Sequence, residues 1–579
     1  MSRATVSLCQ GHNPGRNRMN RFSTFASMSL PGFVLVALVL NGCSGTSASN
    51  EEPANPKQDE EQSNERDNEA AREDDTNHSG ESSDNADSTS QSNHDNSASH
   101  PSEPDGAEDK KPRPRIELFK DWPKPQFAIL ITGRQHGYVE PCGCTGLENQ
   151  KGGLVRRHAV QKDLIARGWP LVSIDAGNQV RRFGPQPDIK FELTMDSLKH
   201  MDYAAVALGP DDLRVELTQH AYNDGDQHSL IVSANVAVFD RATTREFDIA
   251  EAGDKKIGIT AILGTQACKK ATGDLLTTES PEDGLKRVWP KLADAKCDFY
   301  VLISHAPEDE SRELAKKFPQ FDLVVSASGA GEPLLVEQIE GTNTTIVEVG
   351  TKSMFAGVVG VFDDAATPIR NQYVPLSDRF ADSEDMLAKF KEYQQRLEST
   401  GLLGEFGLLG RSEPVLHPTG LTFVGSTACK DCHEEAYDIW KDGVDGGGGA
   451  HYHATKSLTH PGQRSDIPRH HDPECLSCHV TGWNPQDYYP YLSGYLKEAN
   501  LLMHGNGCEN CHGPGSRHVA AENGDLDVGD EELESLQRSM RLTLEEAKAS
   551  KCYTCHDIDN SPDFHEEGAF EQYWSQIEH

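Results

Sequence analysis

Four segments carry cysteine and histidine at one fixed spacing: Cys429-Lys-Asp-Cys432-His433, Cys475-Leu-Ser-Cys478-His479, Cys508-Glu-Asn-Cys511-His512 and Cys552-Tyr-Thr-Cys555-His556. Two thiols three residues apart can add across the two vinyl groups of one haem. The histidine that follows the second cysteine then sits under the iron as an axial ligand. Chance alone would produce roughly 0.01 such motifs in a chain of this composition. All eight cysteines beyond residue 400 are used by the four motifs. Zinc knuckles do not require a histidine after every cysteine pair, and a dithiol redox motif does not recur four times. The reading is therefore four haem c groups, with His433, His479, His512 and His556 as proximal iron ligands, in a protein that transfers electrons.

The second axial ligands are less tightly specified. Of 24 histidines, 14 lie beyond residue 410, and ten of these are outside the motifs. His451 and His453 sit in a glycine-rich stretch after the first motif, and His518 follows the third motif closely. Aliphatic runs nearly vanish after Gly420, so this segment needs cohesion from something other than an ordinary core, as small metal and haem domains do.

Upstream, the pattern is that of an α/β domain. Apolar runs at 127–131, 170–174, 204–208, 229–236, 256–263, 299–304, 323–326, 345–349 and 357–362 read as strands. Helical spacing is seen at 153–165, 282–295 and 308–317, and 383–399 reads as a terminal amphipathic helix with Ser383 as its N-cap. Strands alternating with helices indicate an α/β fold. Cys142-Gly-Cys144 is either a thiol or metal site or a structural loop. Cys268 and Cys297 are candidates for a disulfide, which spacing alone does not show.

The N-terminal segment supplies an address. Arg16, Arg18 and Arg21 precede a short apolar run, Phe33–Leu40, that ends in Leu40-Asn41-Gly42-Cys43. The run is too short to span a bilayer. It resembles a bacterial lipoprotein signal in which Cys43 is lipidated. Residues 51–110 hold 19 Asp or Glu against 4 Lys or Arg and have no Val, Ile, Leu, Met, Phe, Trp or Tyr. A stretch with nothing to bury cannot offset its ordering entropy and reads as a disordered acidic tether. Net charge is −37, which excludes nucleic acid as a partner because phosphates would be repelled.

Residues 421–579 closely resemble the tetrahaem cytochrome c-554 family. The resemblance rests on Val424-Gly-Ser-Thr-Ala-Cys429, Trp440, His451-Tyr-His453-Ala454, Cys475-Leu-Ser-Cys-His-Val-Thr-Gly482, Gly507-Cys-Glu-Asn-Cys-His-Gly-Pro-Gly515 and the ending Ser561-Pro-Asp-Phe564 with Tyr573-Trp574. It implies bis-histidine haems, with His451, His453 and His518 as distal ligands, and one iron whose second position is open in some members. Gly443–Gly449 reads as an insertion before His451.

Residues 127–363 resemble the metallophosphoesterase domain of secreted 5′-nucleotidases and UDP-sugar hydrolases. Here the matching segments are Gln150-Lys-Gly-Gly-Leu-Val-Arg-Arg157, Asp175-Ala-Gly-Asn178, Gly209-Pro-Asp-Asp212 and Ser304-His305. Active members bridge two metal ions with carboxylates and several imidazoles. This sequence has Arg134 in place of the first Asp, Asn178 in place of the bridging Asp, Pro210-Asp211 in place of Asn-His, and Ser326-Ala-Ser-Gly-Ala-Gly331 in place of the last histidine pair. His136 and His305 are retained. An arginine beside a dication repels it, so hydrolysis is expected to be lost.

The expected organisation is a lipoprotein signal peptide at 1–43, a disordered acidic linker at 44–115 and a nucleotidase-like α/β domain at 120–400. A linker at 401–420 then leads to a mostly α, loop-rich tetrahaem cytochrome c domain at 421–579. The expected protein is exported, membrane-anchored and facing the periplasm or cell exterior, and it exchanges electrons with redox partner proteins. Two rival readings are a haem-based oxidoreductase acting on small nitrogen compounds and an active metallophosphohydrolase fused to a cytochrome.

Overall fold

The computed structural model describes residues 117–140, 150–182, 184–215, 217, 220, 229–271, 273–400, 415–461, 466–496, 500–558 and 560–579. Cys43, the acidic tether, Cys142-Gly-Cys144 and positions 401–414 of the linker lie outside the described residues.

The strands of the N-terminal domain are β1 (Phe127–Thr132), β2 (Leu171–Asp175), β3 (Tyr203–Val206), β4 (Val236–Val238), β5 (Phe247–Ala252), β6 (Lys255–Leu263), β7 (Leu276–Thr278), β8 (Phe299–His305), β9 (Leu323–Ser326), β10 (Val336–Gln338), β11 (Thr345–Glu348), β12 (Phe355–Val361) and β13 (Ile369–Pro375). They build two principal sheets, ordered β13-β12-β1-β2-β3 and β10-β11-β9-β8-β6-β5, while β4 and β7 pair separately. β1, β2 and β3 run parallel, as do β6, β8, β9 and β11.

The two-residue period of a strand explains how the layers form. Phe127, Ile129 and Ile131 of β1 share a core with Ile257, Ile259, Val301, Ile303 and Val325 of the other sheet. The alternate residues Ala128 and Leu130 point outward and meet Val160 and Leu164 of helix α1 (Leu154–Ala166). On the far side, Leu302 and Val324 pack on Leu285, Val288, Leu292 and Leu314, from the helices Pro281–Asp294 and Glu308–Lys317. The result is two sheets face to face with helices outside. Central strands covered on both faces read as continuous apolar runs, which is why they stand out in the sequence.

Some elements differ from expectation. Only bridges at Ile231 and Val232, and the start of β4, occupy the expected strand at 229–236. The Asn235 side chain pins this segment instead, donating to the Leu263 carbonyl at 2.7 Å and accepting from the Leu263 N–H at 2.9 Å. Helix α2 (Pro185–His200) has no apolar stripe, since Gln186, Lys190, Thr194 and Ser197 are buried along with its hydrophobics. Cys268 and Cys297 are both free, so the expected disulfide is absent. Cys268 bonds the Leu263 carbonyl at the end of β6, whereas Cys297 lies against Gly258. Those five residues of strand span about 17 Å, and a disulfide needs Cα atoms within about 7 Å.

From Val415 the chain forms short helices and turns, with strands of only two residues at Trp483–Asn484 and Tyr489–Pro490. Leu458, Leu476, Val480, Trp483 and Tyr495 belong to the same apolar cluster as Phe191 and Leu193 of α2 and Tyr393 and Leu397 of the helix Glu384–Thr400. The two domains therefore share a core. Among the described residues, no helix is long and apolar enough to cross a membrane.

Candidate functional site

Each Cys-x-x-Cys-His segment adopts a helix or tight turn. The second motif lies on the helix Pro473–His479, whose first turn is capped by the Asp472 carboxylate accepting the Glu474 N–H at 3.0 Å. The third forms the helix Cys508–His512, stopped by Gly513 at φ 87°. Cys429 ends the turn Ser426–Cys429, and Cys552 opens the turn Cys552–Thr554. In helical geometry, residues three and four apart share a face, so both thiols and the imidazole present to one side. Glu509, between the cysteines of the third motif, is buried and accepts the N–H groups of Val424, Gly425 and Gly515 at 3.0, 2.7 and 2.7 Å. It ties the approach to the first motif onto the third, and burial raises its carboxyl pKa.

All eight cysteines and all four motif histidines line one cavity of about 2550 Å³. An ordinary ligand pocket holds roughly 300–1,000 Å³. The first and third motifs meet through Cys429 and Cys508, the second and fourth through Cys478 and Cys555, and Cys511 of the third neighbours Cys552 of the fourth. The spatial order is thus first, third, fourth, second.

The histidines are oriented from behind. His479 Nδ1 donates to the Ala454 carbonyl at 2.8 Å and His512 Nδ1 to the Met540 carbonyl at 2.7 Å. His556 Nδ1 is 3.0 Å from the Ser561 hydroxyl. Such bonds leave the Nε2 lone pair of His479 and His512 for a metal. Three motif histidines face a second ring: His433 and His518 have centroids 6.5 Å apart, His556 and His451 6.2 Å, and His512 and His579 5.8 Å. Two imidazoles on opposite sides of one metal ion, each bonded at about 2 Å, have centres roughly 6 Å apart. His451 is pushed down to about 4, first by burial and then by His556 and His479. His453 packs edge-on against Tyr452 at 4.9 Å. His579 is not legible as a ligand in the sequence. A histidine outside any motif carries no local signal, and only the tertiary fold brings it to His512.

The residues expected as remnants of a metallophosphoesterase centre gather at the carboxyl ends of the parallel strands. Arg134 and His136 follow β1, Asn178 follows β2, Asp211 follows β3 and His305 ends β8. Arg134, His136 and Asn178 have φ of 50°, 55° and 61°, a left-handed conformation costing about 1–3 kcal/mol each for such residues. It is held by main-chain bonds from Arg134 N to Gly177 O at 2.7 Å and from His136 N to Asn178 O at 3.1 Å. The groups are committed to one another. The Arg134 guanidinium donates to the carbonyls of Gly329 and Val349. Asn178 Nδ2 donates to Asp211 Oδ2 at 3.0 Å, and Asp211 N donates to Asn178 Oδ1 at 3.0 Å. Asp175 is buried against Arg157 at 3.2 Å. Burial and the cations Arg134, Arg181 and Lys352 push His136 down to about 3, and burial pushes His305 down to about 4. Burial also raises Asp212 to about 7. Fixed cations stand where a dication would need carboxylates, so these residues do not fit a two-metal centre.

A second cluster, His158, His200 and Asp385, has ligand atoms within 4.8 Å of one another. Lys162 Nζ lies 2.8 Å from the Asp385 oxygen that faces both imidazoles, so a cation already neutralises it.

Residues 428–513 match the family described as cytochrome c554 and c-prime. Cytochrome c-554 of Nitrosomonas europaea is 29% identical over 103 residues, covering 16% of this chain and 39% of that protein. The chain thus spans well under half the length of this relative. Among solved structures, a 5′-nucleotidase precursor from Thermus thermophilus is similar with a TM-score of 0.38 and 16% identity, over 47% of this chain and 59% of that one. The calcineurin-like phosphoesterase YfkN from Bacillus subtilis is similar with a TM-score of 0.36 and 14% identity, over 47% of this chain and 97% of that one. Residues 428–513 of this chain resemble the cytochrome c554 family, and its N-terminal domain is similar in fold to the 5′-nucleotidase and metallophosphoesterase domains.

Proposed function

We propose that this protein is an exported, lipid-anchored tetrahaem c-type cytochrome that relays electrons between redox proteins, with an α/β domain that no longer hydrolyses phosphoesters. One observation carries the reading: four Cys-x-x-Cys-His motifs converge on a single large cavity, with a further histidine ring 5.8–6.5 Å from each of three motif histidines. The donor set fits covalent haem, because every motif offers two thiols and an imidazole to the same space.

The chain's own residues do the positioning. Cys429 with Cys432, Cys475 with Cys478, Cys508 with Cys511, and Cys552 with Cys555 would each hold one haem. His433, His479, His512 and His556 would bind the irons, with His518, His579 and His451 opposite the first, third and fourth motif histidines. Bound haem supplies reversible one-electron exchange at its iron. The Ala454 and Met540 carbonyls fix imidazole orientation. The contacts between cysteines of neighbouring motifs support a relay ordered first, third, fourth, second. Export and anchoring rest on the signal ending at Cys43, and the net charge of −37 disfavours nucleic acid.

A pyridine haemochrome assay with intact mass is expected to give four haems per chain, and a lower stoichiometry in fully matured protein would refute the reading. Cys43→Ala is expected to release the protein from membranes with haem attachment intact. Persistent membrane association would point to another anchor.

A further inference from the structure

Helix α2 turns a polar face toward the haem domain, and that face is buried. Gln186 and Lys190 stand one turn apart on it. Gln186 Nε2 donates to Asp472 Oδ1 at 2.8 Å, and Lys190 Nζ donates to Glu474 Oε2 at 2.6 Å. From the helix Glu384–Thr400, Tyr393 and Gln394 both donate to Asp472 Oδ2 at 3.2 Å. Arg469 Nη2 donates to Glu140 Oε2 at 2.7 Å nearby. These contacts grip the first turn of the helix that carries Cys475, Cys478 and His479.

The Lys190 side chain is only 5% exposed. Burying an ammonium is costly, and a buried ion pair is seldom more stabilising than apolar residues of the same volume. Stability alone is therefore a weak reason for this arrangement. Its placement suggests another. Glu474 adjoins Cys475, and the five-residue step from Glu474 to His479 is about 7.5 Å along the helix. Burial opposes the charge on Lys190, but Glu474 and Asp472 more than offset it and hold its pKa above the ordinary value.

We propose that the α/β domain sets the reduction potential of the haem held by Cys475, Cys478 and His479, with Lys190 as the positioning residue that balances the carboxylates of Asp472 and Glu474. The inference rests on the four-haem reading. The second motif ends the spatial order of the four, so the α/β domain governs one terminus of the relay. A unit charge roughly 10 Å from an iron, in a medium of effective permittivity near 20, changes its reduction equilibrium about tenfold. Lys190→Met leaves two carboxylates without their cation, which favours the ferric state. Glu474→Gln removes one negative charge and leaves Lys190 matched by Asp472 alone, which favours the ferrous state.

The test is a spectropotentiometric titration of full-length holoprotein, with haem counted in the same samples. Lys190→Met is expected to lower one of the four midpoints about tenfold in equilibrium constant, or 59 mV for one electron. Glu474→Gln is expected to raise the same midpoint, and Lys190→Arg to leave it in place. That midpoint is identified as the one missing from Cys475→Ser/Cys478→Ser protein. Wild-type midpoints in both charge variants would overturn the proposal, and so would equal shifts of all four. If Lys190→Met does not fold, Glu474→Gln decides alone by the same criterion. A haem count below four would instead overturn the parent reading.

Discussion

The α/β domain and the haem domain hold together by different means. In the first, alternate strand residues fill the space between two sheets, and the outward faces are sealed by helices. In the second, short helices and turns enclose a cavity of about 2550 Å³ lined by the four motifs. Among the described residues, its apolar clusters are the shared one at α2 and a small group around Ala547, Phe564 and Phe570. One domain encodes its core in its own side chains. The other, on the proposed reading, encodes attachment points for a core made of macrocycles. The contrast explains why one region is legible through hydrophobic periodicity and the other through cysteine spacing.

The sharpest way to break this contrast is to withhold haem attachment. Protein made where no c-type maturation operates is expected to lose protease resistance throughout 415–579, while a fragment near 117–400 persists. Limited proteolysis with mass spectrometry would show this, and a haem-free C-terminal domain that resists protease would contradict it.

A smaller effect is expected at the joint between the first and third motifs. Glu509→Ala leaves the N–H groups of Val424, Gly425 and Gly515 without their carboxylate. A loss of about 3 kcal/mol is expected from denaturant titration of the holoprotein. A loss below about 1 kcal/mol would mean that haem attachment alone holds the two motifs together.

The histidine pairs can be tested one by one. His518→Ala, His451→Ala and His579→Ala are each expected to convert one low-spin haem to high-spin. Electron paramagnetic resonance counts the change, and a variant with the wild-type count has lost only a bystander histidine.

The α/β domain should register acid. His305 is neutral in the fold, with its pKa pushed down to about 4 from an ordinary value of 6.5. Its contribution is complete above pH 6.5 and is lost as pH falls toward 4, because the unfolded chain takes up the proton first. Stability is expected to drop on the order of 1–2 kcal/mol between pH 7 and pH 5, and His305→Gln should flatten that fall in urea titrations. An unchanged slope in the variant would assign the acid sensitivity elsewhere.

The smallest expected effect is none at all. Added Mn²⁺, Co²⁺ or Zn²⁺ should elicit no release of phosphate or sugar from 5′-AMP or UDP-sugars. Arg134 bound to the carbonyls of Gly329 and Val349, and Asn178 bound to Asp211, are the reasons. Robust metal-dependent turnover would reinstate the phosphohydrolase reading.

Much of the architecture follows from short-range pattern. The helix Glu308–Lys317 and strand β9 occur at the residues that periodicity indicates, and other central strands lie within a residue or two of it. Helix α2 was missed because Gln186 and Lys190 are buried by partners nearly three hundred residues away. β13 was missed because it is a partly exposed edge strand without an apolar run. The Cys268–Cys297 pairing failed because spacing along the chain says nothing about which end of a strand each thiol occupies.

By itself, the sequence determines where haem would be attached and which imidazole follows each attachment, because a thioether pair and its adjacent histidine are specified within five consecutive residues. It also places Arg134 and Asn178 where the resemblance to metallophosphoesterases calls for metal-binding carboxylates, which is the sequence's ground for the proposed loss of hydrolysis. Only the tertiary structure decides which histidine faces which: His518 against His433, His451 against His556, and His579 against His512. The same is true of the Lys190 ammonium beside the second motif. An imidazole opposite an attachment site, or a charge near it, acts through space over a few ångströms, and those separations exist only once distant segments have packed.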